Sequence, residues 1–181
     1  MAAPAAEGLT VTALRSVYHR VRQAAERSDR RADDVRVVAV TVVPNLAMVH
    51  GVDNQKLANH LDRAVSSIGR QPLKVLVQVN TSGEESKSGV DPSNCIELAK
   101  HVKLDCPNLE FSGLMTIGRP NYTSTPENFK TLLNCRTEVC KVLGMVESRC
   151  VLSMGMSTDF ELEIEMDSTN VLNCCILLEQ D

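Results

Sequence analysis

The chain has 181 residues, a formal net charge of −4, 43% hydrophobic and 23% charged residues, and 3% aromatic residues. That length suits one domain with a sizeable core. The charge offers no basic footprint for nucleic acid, the few aromatics leave little for stacking bases, and no apolar run approaches a membrane span.

The amino-terminal MAAPAAEG has no basic stretch followed by an apolar one, so no secretory signal is read and a cytoplasmic setting is expected. The seven cysteines include no Cys-x-x-Cys pair, and the four histidines are scattered. No zinc ligand set has plausible spacing; reduced thiols used as small hydrophobes are expected, with no metal.

In chain order, Thr10 to Arg27 carries Val11, Leu14, Val17, Val21 and Ala24 at helical spacing, with Arg15, Arg20, Arg22 and Arg27 opposite. This predicts an amphipathic helix. Val35 to Val40 reads as a buried strand. Asn45 to Val49 reads as another, with only Thr41-Val42-Val43-Pro44 between them. Neighbouring parallel strands need a crossover of about a dozen residues or more. The join is therefore one bent strand, an antiparallel pair, or the place where a linking segment is missing. Asp53 is the expected N-cap of a helix over Gln55–Ser67, with Leu57, Leu61, Ala64 and Val65 inward.

Lys74 to Asn80 fills with Val75, Val77 and Val79, the pattern of a strand buried on both faces. It ends in Asn80-Thr81-Ser82-Gly83, followed by Glu84, Glu85, Lys87 and Gly89. A strand that empties into a polar loop and then a helix is the unit of parallel α/β folds, whose chemistry collects at the strands' carboxyl ends. A solvated loop without a role is the plainer reading. Asp91-Pro92 opens the next helix, which runs to about Lys103 on Cys95, Ile96, Ala99 and Val102.

Leu109 to Gly118 is read as a strand. Thr125-Pro126-Glu127 then opens a helix with Phe129, Leu132, Leu133, Val139, Cys140 and Leu143 inward and Gly144 as its stop. Cys150 to Met156 is a strand, and Ser157-Thr158-Asp159 a cap-like turn. Phe160 to Met166 alternates apolar and acidic residues as a strand would, but its place after a strand and turn favours a helix, the reading adopted. Asn170 to Leu178 is a last strand candidate. The sum is an α/β chain of about six strands and five helices. A closed (β/α)₈ barrel needs eight strands and about 250 residues, so an incomplete TIM-type barrel is expected.

Four segments in this order, VLVQVNTSGEESKSG (Val75–Gly89), CPNLEFSGLMTIG (Cys106–Gly118), LSMGMSTDF (Leu152–Phe160) and STNV (Ser168–Val171), resemble the pyridoxal phosphate homeostasis protein family, which shares the alanine-racemase N-terminal type of barrel. The likeness is strongest over residues 44–171. It implies a single domain that binds pyridoxal 5′-phosphate without catalytic turnover, and it makes residues 1–181 one truncated domain of that type.

Two departures stand beside the likeness. Family members carry a Ser-Lys-Thr-Lys-Pro-like segment after the first strand, and its first lysine holds the cofactor as a Schiff base. Here Thr41-Val42-Val43-Pro44 follows, without lysine and without the second and third strands, as in an alternative transcript or a gene-model error. After Ser168–Val171 the family's Arg-Ile-Gly-Ser-Thr-like run is replaced by Leu172-Asn173-Cys174-Cys175-Ile176. Glu163 and Asp167 also stand where the family usually has small residues.

By resemblance, Ser157 is a phosphate contact, with Met156 and Asn80 near the cofactor ring; Ser157 as a simple N-cap is the alternative. An imine needs a lysine able to lose its proton. Lys87 alone sits in a loop at a strand's carboxyl end, where a solvated charge is the preferred reading, while Lys74 begins its strand and faces the opposite end. Glu84 and Glu85 read as a solvated turn, and no catalytic residue is assigned.

The expectation is a cofactor-binding homeostasis protein impaired in binding, not an enzyme. The rivals are an interaction fragment pairing with a full-length relative and, less favoured, a racemase or decarboxylase, which would need a second domain and a catalytic lysine. Self-association through exposed apolar edges (Val40, Val42, Val43 and Leu172–Leu178) and marginal stability are expected, because strands without neighbours leave unpaired edges.

Overall fold

The computed structural model describes residues 19–38, 47–84, 88–117, 126–154 and 160–172. Among them are six strands: β1 (Arg36–Val38), β2 (Met48–Val52), β3 (Leu73–Gln78), β4 (Leu109–Thr116), β5 (Val151–Met154) and β6 (Asn170–Leu172). There are five α-helices: α1 over 19–27, α2 (Gln55–Ser67), α3 (Cys95–Asp105), α4 (Pro126–Leu143) and α5 (Phe160–Glu165). This alternation is the incomplete α/β barrel expected. The chain divides into two compact units, residues 42–153 and the two terminal segments 1–41 and 154–181.

In the larger unit the strand order is β2-β3-β4-β5, with β2–β3 and β3–β4 parallel. Val75, Leu76 and Val77 are fully buried, as a parallel strand covered on both faces requires; Lys74 alone in β3 is exposed. α3 lies against β3 and β4, α4 against β4, and α3 also against α2 and α4. Leu76, Leu114, Met115, Phe129, Leu132 and Leu152 fill the space between. The β3–β4 register slips between Val75↔Phe111 and Leu76↔Gly113. Gly113 has a steric reason: a Cβ there would stand 2.6 Å from Val151 N and 2.7 Å from Val151 C.

Several expectations change in detail. The N-cap of α2 is Asn54, not Asp53: Asn54 Oδ1 accepts from Leu57 N at 2.8 Å, and Asp53 Oδ1 accepts from the Asn54 amide at 2.6 Å. Position three residues before the bonded N–H decides the cap, and Asn54 holds it. Ala58 and Val65 are the buried residues of α2, whereas Ala64 is exposed. Asp91 caps a 3₁₀ turn, Pro92–Asn94, that precedes α3, its carboxylate held low by the hydrogen bonds from Ser93. Leu98 replaces Ile96 as a buried residue of α3, and Cys135 joins the buried face of α4 while Leu133 and Leu143 are half-buried.

The strand expected from Asn45 runs over Met48–Val52. β1 has a parallel partner in β6 and β2 one in β3; the join at 39–46, Thr125, and most of the carboxyl-terminal stretch lie outside the described residues.

The smaller unit pairs β1 with β6 in parallel, Arg36 opposite Asn170 and Val38 opposite Leu172. Val21, Ala24 and Ala25 of α1 pack with Val35 and Ile164. Residues 10–18 of the predicted helix lie outside the described residues. α5 is helical despite its alternating sequence, because the helical spacing puts Glu161 and Glu165 on one face toward α1. Arg20 Nε meets Glu161 Oε1 at 2.7 Å, and Arg27 meets Glu161 at 3.1 Å and Glu165 at 2.8 Å. These pairs draw the Glu161 carboxyl below its usual range, through the Arg20 hydrogen bond first. Arg30 Nη1 donates to the carbonyls of Ile164 and Ser168, both at 2.8 Å, and so fixes the end of α5.

Candidate functional site at the carboxyl ends of the strands

The polar residues of the larger unit converge where β3 and β4 end. Past Gln78 the chain forms a loop that returns to its own origin. Val79 bridges Val90 in parallel, Val90 N donates to Gln78 O at 2.8 Å, and Asn80 N to Val90 O at 2.9 Å. Gly89 makes this closure possible: its φ is +130°, and a Cβ would lie 2.6 Å from Asn80 N. Gln78 is buried, and its side-chain amide donates to Ser88 O at 2.9 Å. Thr116 Oγ1, at the end of β4, donates to Val79 O at 2.8 Å and shares a 3.0 Å hydrogen bond with Thr81 Oγ1.

Asn80 is half-buried and committed to this loop. Its amide nitrogen donates to Glu84 O at 2.8 Å, and its Oδ1 accepts from Ser82 Oγ at 2.9 Å. A side-chain amide has two N–H groups, and the second of Asn80 has no partner among the described residues. In the strands of the larger unit, two polar atoms are buried without a partner among the described residues: Ser153 Oγ in β5 and His50 Nδ1 in β2. Burial lowers the His50 pKa from its ordinary value of 6.5, which keeps the ring neutral.

Of the residues expected at the site, Asn80 stands at the end of β3, whereas Met156 and Ser157 lie outside the described residues, as do Glu85 and Lys87. Glu84 contributes its backbone carbonyl to the loop. Gln78, Thr116, Ser153 and His50 were not singled out from sequence. A polar residue interrupting an otherwise Val-rich strand, as Gln78 does, was the available signal.

The described lysines do not fit covalent attachment of an aldehyde cofactor. Lys74 is the second residue of β3, exposed and 4.0 Å from Glu110. Lys56, Lys130 and Lys141 are exposed on helices. Lys100 pairs with Glu97 at 2.9 Å, and Lys103 donates to Leu143 O at 3.0 Å. None of the six is at a strand's carboxyl end.

Cys95, Cys106, Cys135, Cys140 and Cys150 are free and buried. Cys150 is pushed up to about 12, chiefly by burial, and Cys95 upward by its hydrogen bond with Cys135. Burial makes packing residues of them; alone of the five, Cys135 is drawn down, by its hydrogen bond with Cys95. Among the described residues no group of three His, Cys, Asp or Glu side chains is arranged to hold a metal, and no helix is long and apolar enough to cross a membrane.

A parallel α/β unit with its polar groups gathered at the strand ends is the architecture of a barrel-derived domain. The sequence pattern of the family described as alanine racemase, N-terminal domain, matches residues 35–172, and the chain belongs to that family. Its curated relatives carry the name pyridoxal phosphate homeostasis protein. The one from Mus musculus is 47% identical over 133 residues, covering 71% of this chain and 48% of the relative. The chain thus spans about half the length of that relative.

Among solved structures, PipY of Synechococcus elongatus PCC7942, determined with PLP bound, has a TM-score of 0.61 at 25% identity, over 72% of this chain and 60% of that one. A crystal structure of an unknown protein from Bifidobacterium adolescentis has a TM-score of 0.86 at 24% identity, over 98% of both chains. It shares the fold at nearly the same extent. More distant structures with this fold include enzymes.

Proposed function

We propose that this chain is a pyridoxal 5′-phosphate-binding protein of the homeostasis type, cytoplasmic and without catalytic turnover, whose hold on the cofactor is impaired. The observation that carries the reading is the 47% identity over 133 residues to relatives named for pyridoxal phosphate homeostasis. The PLP bound in PipY supports the choice of ligand.

Impairment rests on chemistry. Without a lysine after the first strand, where the family holds the cofactor, the aldehyde forms no imine there and only non-covalent contacts remain. Asn80, with its one open N–H, and Met156 then lie beside the ring, and Ser157 contacts the phosphate. Residues 1–181 act as a single truncated domain of this type.

Equilibrium dialysis of pyridoxal 5′-phosphate against the chain, with a full-length relative alongside, tests the reading. Weak binding by the chain, reduced further in Asn80→Ala, is the expected result. Affinity equal to the relative's would overturn the impairment, and no measurable binding at all would overturn the assignment of ligand.

A second reading is an interaction fragment that pairs with a full-length relative, or with itself, through the apolar side chains Val40, Val42, Val43 and those of 172–178. Size-exclusion chromatography of the two proteins together decides it: a mixed species supports the pairing, and separate elution removes it.

A further inference from the structure

The larger unit has a second recess, away from the carboxyl ends of its strands. It is a cavity of about 390 Å³ at the amino-terminal end of β4, between the last residues of α3 and the segment after α4. Leu109, Phe111, Met145 and Val146 line it, together with Lys103 and Arg149. Leu109 and Phe111 form a nearly buried floor, whereas Val146 is 65% exposed and leaves an uncovered apolar wall.

The charges at this recess are unbalanced. Lys103 Nζ donates one hydrogen bond, to Leu143 O at 3.0 Å, which ties the end of α3 to the end of α4. An ammonium has three donors, so among the described residues two remain without a partner. The Arg149 guanidinium, exposed at the end of a 3₁₀ turn, has no hydrogen-bond or ion-pair partner among the described residues. The rim's one carboxylate, Glu110, lies 4.0 Å from Lys74 and is offset by it.

We propose that this recess binds a small amphiphilic carboxylate, a short acyl chain or single ring bearing one carboxyl group. The volume lies near the lower end of the roughly 300–1,000 Å³ typical of small-ligand sites, which suits such a body. Arginine's planar fork matches a carboxylate in two parallel hydrogen bonds, with the Lys103 ammonium as a second donor. The apolar part of the ligand covers Val146 and lies on Phe111. The site is independent of the strand-end residues assigned to pyridoxal 5′-phosphate.

Titration of the ¹⁵N-labelled full chain with hexanoate, followed by amide NMR, is the test. Saturable shifts confined to residues 109–111 and 144–149 are expected. Acetate, which lacks the chain, and 1-hexanol, which lacks the charge, should each bind at least about tenfold more weakly. Arg149→Glu should abolish the response, and added salt should weaken it. Absence of saturable shifts, shifts only at the strands' carboxyl ends, or unchanged affinity in Arg149→Glu would overturn the proposal. Should that variant misfold, the comparison of hexanoate with acetate and hexanol on the unaltered chain decides: equal affinities refute the site.

Discussion

Lys74 Nζ lies 4.0 Å from Glu110 Oε1 across the first residues of β3 and β4, at the end of the strands opposite Asn80. The one described lysine on a strand is thus held at the wrong end of the sheet to meet a ligand beside Asn80. Breaking this exposed pair with Lys74→Met should change stability by less than about 0.5 kcal/mol and leave pyridoxal 5′-phosphate binding unaltered. Urea unfolding and dialysis of the variant check both.

The contact of Gly113 with Val151 is sterically demanding. Gly113→Ala puts a methyl group into the backbone of β5 and should cost about 2 kcal/mol or more. The drop should appear in the midpoint of urea denaturation.

The cap of α2 gives a paired prediction. Asn54→Ala removes the acceptor for Leu57 N and should lose about 1 kcal/mol. Asp53→Ala should lose well under that, because Asp53 caps nothing. Parallel denaturation curves separate the two.

His50 confers a pH dependence of defined sign. Its folded-state pKa lies below the ordinary 6.5, so the unfolded chain takes up the proton first as pH falls. The neutral ring's contribution is fully present above the unfolded pKa. It declines from there until the pH falls below the lowered folded value. Unfolding midpoints at about pH 7.5 and about pH 5.5 should differ less in His50→Gln than in the unaltered chain. An identical difference would remove His50 as the cause.

The buried thiols should resist alkylation. In the native chain at neutral pH, Cys95, Cys106, Cys135, Cys140 and Cys150 should stay unmodified by iodoacetamide, and all five should react once the chain is unfolded. Peptide mass spectrometry reads the difference, and rapid native labelling of Cys150 would contradict the burial that raises its pKa.

Strong local signals carried the fold. The Val-rich run of β3, the Pro126 start and Gly144 stop of α4 and the extent of α2 were all legible from sequence, because propensity and local pattern agree there, whereas the cap and the inward face of α2 were read only in part. The acidic–apolar alternation at Phe160–Met166 was ambiguous by itself. What settles it is Arg20 and Arg27 on α1, about 140 positions away in sequence, a contact that no local pattern encodes. Asn54 and Asp53 were indistinguishable as caps without backbone geometry.

At the strand ends, resemblance named Asn80, and the structure holds its side chain in the loop that follows β3. Gln78, Thr116 and Ser153 were not named, because their roles come from loop closure at Gly89 and from burial between neighbouring strands.

On the proposed function, no amine in this chain condenses with the cofactor's aldehyde. Incubation with pyridoxal 5′-phosphate, reduction with borohydride and peptide mass spectrometry test it most directly. The lysines should stay unmodified throughout, Lys87 included, with no imine absorbance in the near ultraviolet. A stoichiometric phosphopyridoxyl adduct on a single lysine would contradict it.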